Sequence, residues 1–146
     1  MKRDEQREAL LQQACHIIDV LPCQVPKNAP GRYGEVEQYF LTGPQRAQQA
    51  QQWIRLLFKL LCYFDAQVYA GRWMDGISCR ALAARIQRLT EEGRGELSLL
   101  FPAEDALLRM AGDDLHLTVY HAAGRFQEIL ERLAQAEGFF WREGAP

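Results

Sequence analysis

Apolar residues are densest between Trp53 and Phe64, WIRLLFKLLCYF, where only Arg55 and Lys59 interrupt the run. Placed on a helix, Gln48, Gln52, Arg55 and Lys59 follow i, i+4, i+7, i+11 and fall within roughly 60° of one another. One narrow polar stripe on an apolar cylinder predicts a helix buried over most of its circumference. Thr42-Gly43-Pro44 supplies a start, with Thr42 as the capping residue and proline at an early position where its missing N–H costs nothing. Gly71 supplies the stop. The helix so bounded runs from Pro44 to Ala70, roughly 27 residues or about 40 Å long, and its polar first turns, QRAQQAQQ, are expected to overhang the core. Asp65 is the misfit. It projects on the side of Ile54, Phe58 and Leu61, so either the helix breaks there or the carboxylate has a partner.

Upstream, Leu10, Ala14, Ile17 and Leu21 form one apolar stripe and predict a first helix from Asp4 to about Val20, ended by Leu21-Pro22. Pro22–Gly34, PCQVPKNAPGRYG, is too rich in proline and glycine for regular structure and is expected to be a long loop. Glu35–Leu41 fits a short helix or a short strand, and the helix is preferred. Downstream of the connector Arg72–Gly76, Ser78 caps a helix that carries Leu82, Ile86 and Leu89 on one face and ends at Glu92-Gly93.

Near Gly95 the period changes from about 3.6 to 2. Leu97, Leu99 and Phe101 face one way, as do Ala106, Leu108 and Met110, and then Leu115, Leu117 and Val119. Ala111-Gly112-Asp113-Asp114 reads as a hairpin turn between the second and third runs. These runs predict a three-stranded antiparallel meander. Phe126, Ile129, Leu130, Leu133 and Ala134 then define an amphipathic helix over Gly124–Glu137. The tail can add a strand with Phe139 and Trp141 on one face. The expected class is α+β: N-terminal helices around a long buried central helix, then a small antiparallel meander with a C-terminal helix packed on it.

Composition narrows the function. With 146 residues, 48% of them hydrophobic, the chain suits a single domain, helical over about 4–92 and sheet-plus-helix over about 96–143. A net charge of −2 argues against a nucleic-acid partner. The N-terminus, MKRDEQREALLQQ, lacks an export pattern. The longest apolar run is too short and too charged to cross a bilayer. The expectation is therefore a cytoplasmic protein with no membrane partner.

Candidate chemistry is sparse. Cys15, His16, Cys23, His116 and His121 share no metal-ligand spacing, so neither a metal nor a cofactor is expected. Cys23, in the proline-rich loop, is a candidate thiol with no feature that would depress its pKa. The acidic pairs Glu35/Glu37, Glu91/Glu92, Glu104/Asp105 and Asp113/Asp114 mostly sit at element ends, where solvated charge is expected. No phosphate-binding loop or nucleophile elbow is present. What remains is a surplus of rings near loops and element ends: Tyr33, Tyr39, Phe40, Trp73, Phe139, Phe140 and Trp141. Three consecutive aromatics at 139–141 cannot all face inward on a strand. Aromatics and arginine dominate protein interfaces, so the leading expectation is a non-catalytic interaction or regulatory (inhibitory) domain. It would contact a protein partner or a second copy of itself through Arg32, Tyr33, Trp73, Phe140 and Trp141. The alternative is a small-molecule binder or enzyme with a pocket between the long helix and the sheet, bordered by Cys62, Tyr63, Asp65, His116 and Tyr120.

Overall fold

The computed structural model describes residues 2–144. Its elements are α1 (Lys2–Leu10), β1 (Cys15–Asp19), α2 (Tyr33–Leu41), α3 (Gly43–Leu61), β2 (Gln67–Tyr69), α4 (Cys79–Glu92), β3 (Glu96–Phe101), β4 (Ala106–Ala111), β5 (Leu117–Tyr120), α5 (Gly124–Ala136) and β6 (Phe140–Glu143). The strands form one sheet in the order β2-β3-β4-β5-β1-β6. Every neighbouring pair is antiparallel. The class is α+β, and the expected meander is its centre, β3-β4-β5, widened on both sides.

Cross-strand register sorts the side chains into two faces. Leu97, Met110, Leu117, Ile18 and Trp141 form one row and Leu99, Leu108 and Val119 the next. These residues join Trp53, Leu56, Leu57 and Leu60 of α3, Leu82 and Ile86 of α4, and Phe126, Leu130 and Ala134 of α5 in one core. Phe139 stacks on Trp53 with ring centroids 4.5 Å apart, which locks the end of α5 to the middle of α3. On the opposite face, Leu10 of α1 packs on Leu100 and Leu107.

α4 and α5 form as their periodicity predicts. Ser78 Oγ accepts from the Ala81 N–H at 3.1 Å and Gly93 takes the left-handed conformation at the C-cap. The N-terminal expectations need correction. The single helix over 4–20 is instead α1 and β1. Ile17 and Ile18 are both buried, because β1 lies between β5 and β6 and is covered on both faces. Such a strand carries no alternation to read. The central helix ends at Leu61 rather than Ala70, so Asp65 lies beyond it and is exposed. The chain released in this way pairs Val68 with Leu99, and Gly71 sits in the turn after β2. Thr42 does not cap α3 with its side chain, and its hydroxyl donates back to Gln38 O. The polar first turns do not overhang: Arg46, Gln49 and Ala50 are buried.

The polar stripe of α3 does face outward, and it grips one residue. Gln52 Nε2 donates to Glu137 O, while Arg55 and Lys59 reach the two Glu137 oxygens at 2.8 and 3.0 Å. Burial alone would raise the Glu137 pKa, but the hydrogen bonds from Lys59 and Arg55 outweigh it and hold the carboxyl below its ordinary value. A depressed folded-state pKa stabilises the fold above the unfolded-state pKa, and that contribution is lost as pH falls through the folded value. Glu137→Gln is therefore expected to lower stability at neutral pH and to flatten the acid side of the pH–stability curve. Urea titrations across pH 3–7 would show this, and parallel acid limbs for both proteins would contradict it.

Candidate functional site

The nine residues of α2 include Tyr33, Val36, Tyr39, Phe40 and Leu41, yet none is buried. Tyr33, Val36 and Phe40 follow i, i+3, i+7, with Tyr39 beside them. This is the stripe by which an amphipathic helix normally docks on its own core. Here Val36, Tyr39 and Phe40 point away, and Tyr33 borders the cleft at the β1–β6 corner. Tyr33 is 41% exposed, Val36 44%, Tyr39 58% and Phe40 37%. The side turned to the body carries Glu37 and Leu41, the only partly covered residues of the helix. Tyr39 and Phe40 pack edge to face, their centroids 5.6 Å apart, so the rings cover each other and little else.

α2 stands over the corner where β1 and β6 meet. Arg142 of β6 donates to Asp19 Oδ2 at 2.9 Å, and the Val20 N–H donates to Asp19 Oδ1 at 2.7 Å. Asp19 is buried, so its charge is balanced by Arg142 at the diagonal position of the ladder. Tyr33, Glu37, Leu21, Cys23, Gln24 and Val25 surround this pair together with Asp114 and His116, around a cleft of about 210 Å³. The Tyr33 hydroxyl donates to Glu37 at 3.0 Å. Burial raises the Tyr33 pKa, and the Glu37 bond adds to that. Phe140 lies opposite Asp19 in register and is 46% exposed. The corner thus sets an ion pair, in which the Arg142 Nε has no hydrogen-bond partner, among half-exposed rings.

The residues expected to make an interaction surface divide. Tyr33 and Phe140 meet at this corner, beside Arg142, which was not among the expected residues, and exposed Arg32 flanks it, 3.8 Å from Glu35. Trp141 points to the helical face and stacks on His16 at 4.8 Å. Trp73 lies elsewhere and is engaged within the chain. Its Nε1 donates to Asp4 at 2.7 Å and Arg3 covers its ring, so it holds α1 to the sheet.

The five residues suggested for a pocket are not brought together. The space between α3 and the sheet is filled by Trp53, Leu56, Leu57 and Leu60. Cys62 and Tyr63 are exposed at the end of α3. Asp65 borders a cavity of about 370 Å³ with Asp75, Cys79 and Leu82. His116 lines the corner cleft, and Tyr120 lies on the opposite face with Leu10 and Leu107. Among the described residues, no group of His, Cys, Asp or Glu is arranged to hold a metal ion, and no helix is long and apolar enough to cross a membrane.

The Asp19–Arg142 pair leaves no local pattern in the sequence, because its members are 123 residues apart. On α2 the sequence predicts a helix only over Glu35–Leu41, with Tyr33 in the loop before it, and spacing alone does not say which way an apolar stripe turns. No family model matches the chain, and no curated protein or solved structure is significantly similar to it.

Proposed function

We propose that this chain is a non-catalytic protein-interaction domain whose contact surface is the corner built by the Pro22–Arg32 connection, α2 and β6. The observation that carries this reading is the outward apolar stripe of α2. A helix that buries none of its own aromatic side chains gives up roughly 1.5–3 kcal/mol for each ring left uncovered. A contiguous apolar patch of this kind marks an interaction site on a folded protein. The composition supports the reading too: tyrosine and arginine are among the side chains that contribute most to binding once a partner dries them. The Asp19–Arg142 ion pair beneath α2 ties β1 to β6 at that corner. A small-molecule function draws no such support, because its suggested residues fall in separate places.

The test is a comparison of the wild-type chain with Tyr39→Lys/Phe40→Lys, both expressed in the native host and analysed by crosslinking and mass spectrometry. Because both side chains already face solvent, the variant is expected to keep its melting temperature within about 2 °C. It is also expected to lose a contact, heterologous or with a second copy, that wild type makes through α2. An unchanged set of crosslinks at equal expression would sink the proposal.

A further inference from the structure

The two edges of the sheet are not alike. Beyond β2 the chain folds back on itself: Met74 N–H donates to Val68 O, Ala70 N–H donates to Arg72 O, and Tyr69 bridges Trp73. That edge is covered by its own chain, as edges in folded proteins usually are. β6 ends the sheet on the other side with no strand beyond it among the described residues.

The ladder fixes which backbone groups of β6 are unused. Gly144 N–H donates to Cys15 O at 3.0 Å. In the observed register this makes Cys15–Gly144, Ile17–Arg142 and Asp19–Phe140 the hydrogen-bonded pairs, alternating with Ile18–Trp141 and His16–Glu143. The N–H and C=O groups of Trp141 and Glu143 therefore point away from β1. Such a row is the template on which an added strand pairs.

We propose that β6 pairs antiparallel with β6 of a second copy of this chain, in a register centred on Trp141. The proposal rests on the interaction-domain reading and names the partner for its β6 side. A two-fold axis normal to the sheet keeps both helical faces on one side, so residues opposite each other must come from the same face. Centring on Trp141 sets the two Trp141 side chains opposite each other on the helical face, extending the Leu97–Met110–Leu117–Ile18–Trp141 row across the seam. On the outer face it sets exposed Phe140 against the partner's Arg142, twice, which suits ring and guanidinium. The next register, centred on Arg142, opposes two like charges and is disfavoured. The Trp141 register also makes Trp141 a hydrogen-bonded pair with its own copy, using the groups that β1 leaves free. A seam of four residues is small against the roughly 1,200–2,000 Å² of stable complexes, so the dimer is weak, with a dissociation constant on the order of 10–100 µM.

Sedimentation equilibrium up to about 0.5 mM with the full chain tests this, with amide hydrogen exchange at low and high concentration. Wild type is expected to dimerise, and the Trp141 amide to exchange more slowly as concentration rises. Glu143→Pro removes an outward N–H and leaves the β1 ladder intact. Phe140→Lys places a cation beside the partner's Arg142. Each is expected to weaken association at least about tenfold with the circular dichroism spectrum unchanged. A monomer at the highest concentration would overturn the proposal, including the case where β6 instead accepts a strand of a different protein. So would a dimer that survives both variants and dissociates with Tyr39→Lys/Phe40→Lys. That last result would leave the α2 docking reading standing.

Discussion

Arg46→Met is expected to destabilise the fold by about 3–5 kcal/mol. Arg46 is 2% exposed, and its hydrogen bonds run to backbone carbonyls and the Gln49 amide. Its Nε donates to Thr90 O at 3.0 Å and its Nη2 to Asp114 O at 2.9 Å, with further bonds to Gly112 O and Gln49 Oε1. Burial lowers the Arg46 pKa, opposed by the charges of Asp114 and Asp113. One side chain near the start of α3 thus ties down the last turn of α4 and the β4–β5 hairpin. A buried ion pair can often be exchanged for apolar side chains at little cost, because both partners leave. Here the acceptors are backbone carbonyls, which stay. Thr90 O keeps a second donor in Gly93 N–H, whereas Gly112 O, Asp114 O and Gln49 Oε1 lose this one. Leaving each without a donor costs about 1–3 kcal/mol. Arg46→Lys keeps the charge but loses the planar fork, and about 2 kcal/mol is expected. Urea denaturation measures both. A methionine variant within about 1 kcal/mol of wild type would show that water takes over the carbonyls and that the clamp is dispensable.

The same residue shows where the sequence misleads. The run QRAQQAQQ looked solvated because it is polar, and polarity is a statement about partners rather than about water. Arg46 and Gln49 are buried because Thr90, Gly112, Asp114 and Leu115 present carbonyls to them, and all four lie more than forty residues away. Elements buried on one side were legible: Leu82, Ile86 and Leu89 mark α4, and Leu117 and Val119 alternate with Thr118 and Tyr120 in β5. β1 was not, because Ile17 and Ile18 are covered on opposite faces and their spacing suits a helix as well as a strand. Phe139, Phe140 and Trp141 show how far a local rule reaches. Three consecutive rings cannot all go inward, and Phe140 is the one left out. At the corner, the surplus of aromatics could be counted from the sequence. Its assembly depends on Asp19 meeting Arg142, and no local pattern encodes that.

The second large effect is expected at Gly112, for a reason that turn chemistry alone does not supply. As a hairpin glycine it would be retained for a left-handed backbone, but Gly112 is not among the glycines with positive φ. Space is the constraint. A Cβ at this position would lie under 3.0 Å from Leu89 O and from both Arg94 N and Arg94 O. All three are backbone atoms, held by the end of α4, so no side chain can swing aside. The hairpin would have to back away from the α4–β3 connection, stretching the bond from Gly112 N–H to Gly95 O, now 2.9 Å, and drawing Gly112 O off Arg46. Gly112→Ala is therefore expected to cost about 2–4 kcal/mol, at the upper end of what overpacking does. Because the displacement acts partly through the arginine, its effect should overlap with that of Arg46→Met. The double variant is expected to fall short of the summed single effects by about 1 kcal/mol or more. Strict additivity in a double-mutant cycle would mean that the glycine contact and the arginine clamp hold the hairpin independently. In that case Gly112 would be needed only for its close approach to Leu89 and Arg94, and the bond to Arg46 would contribute little.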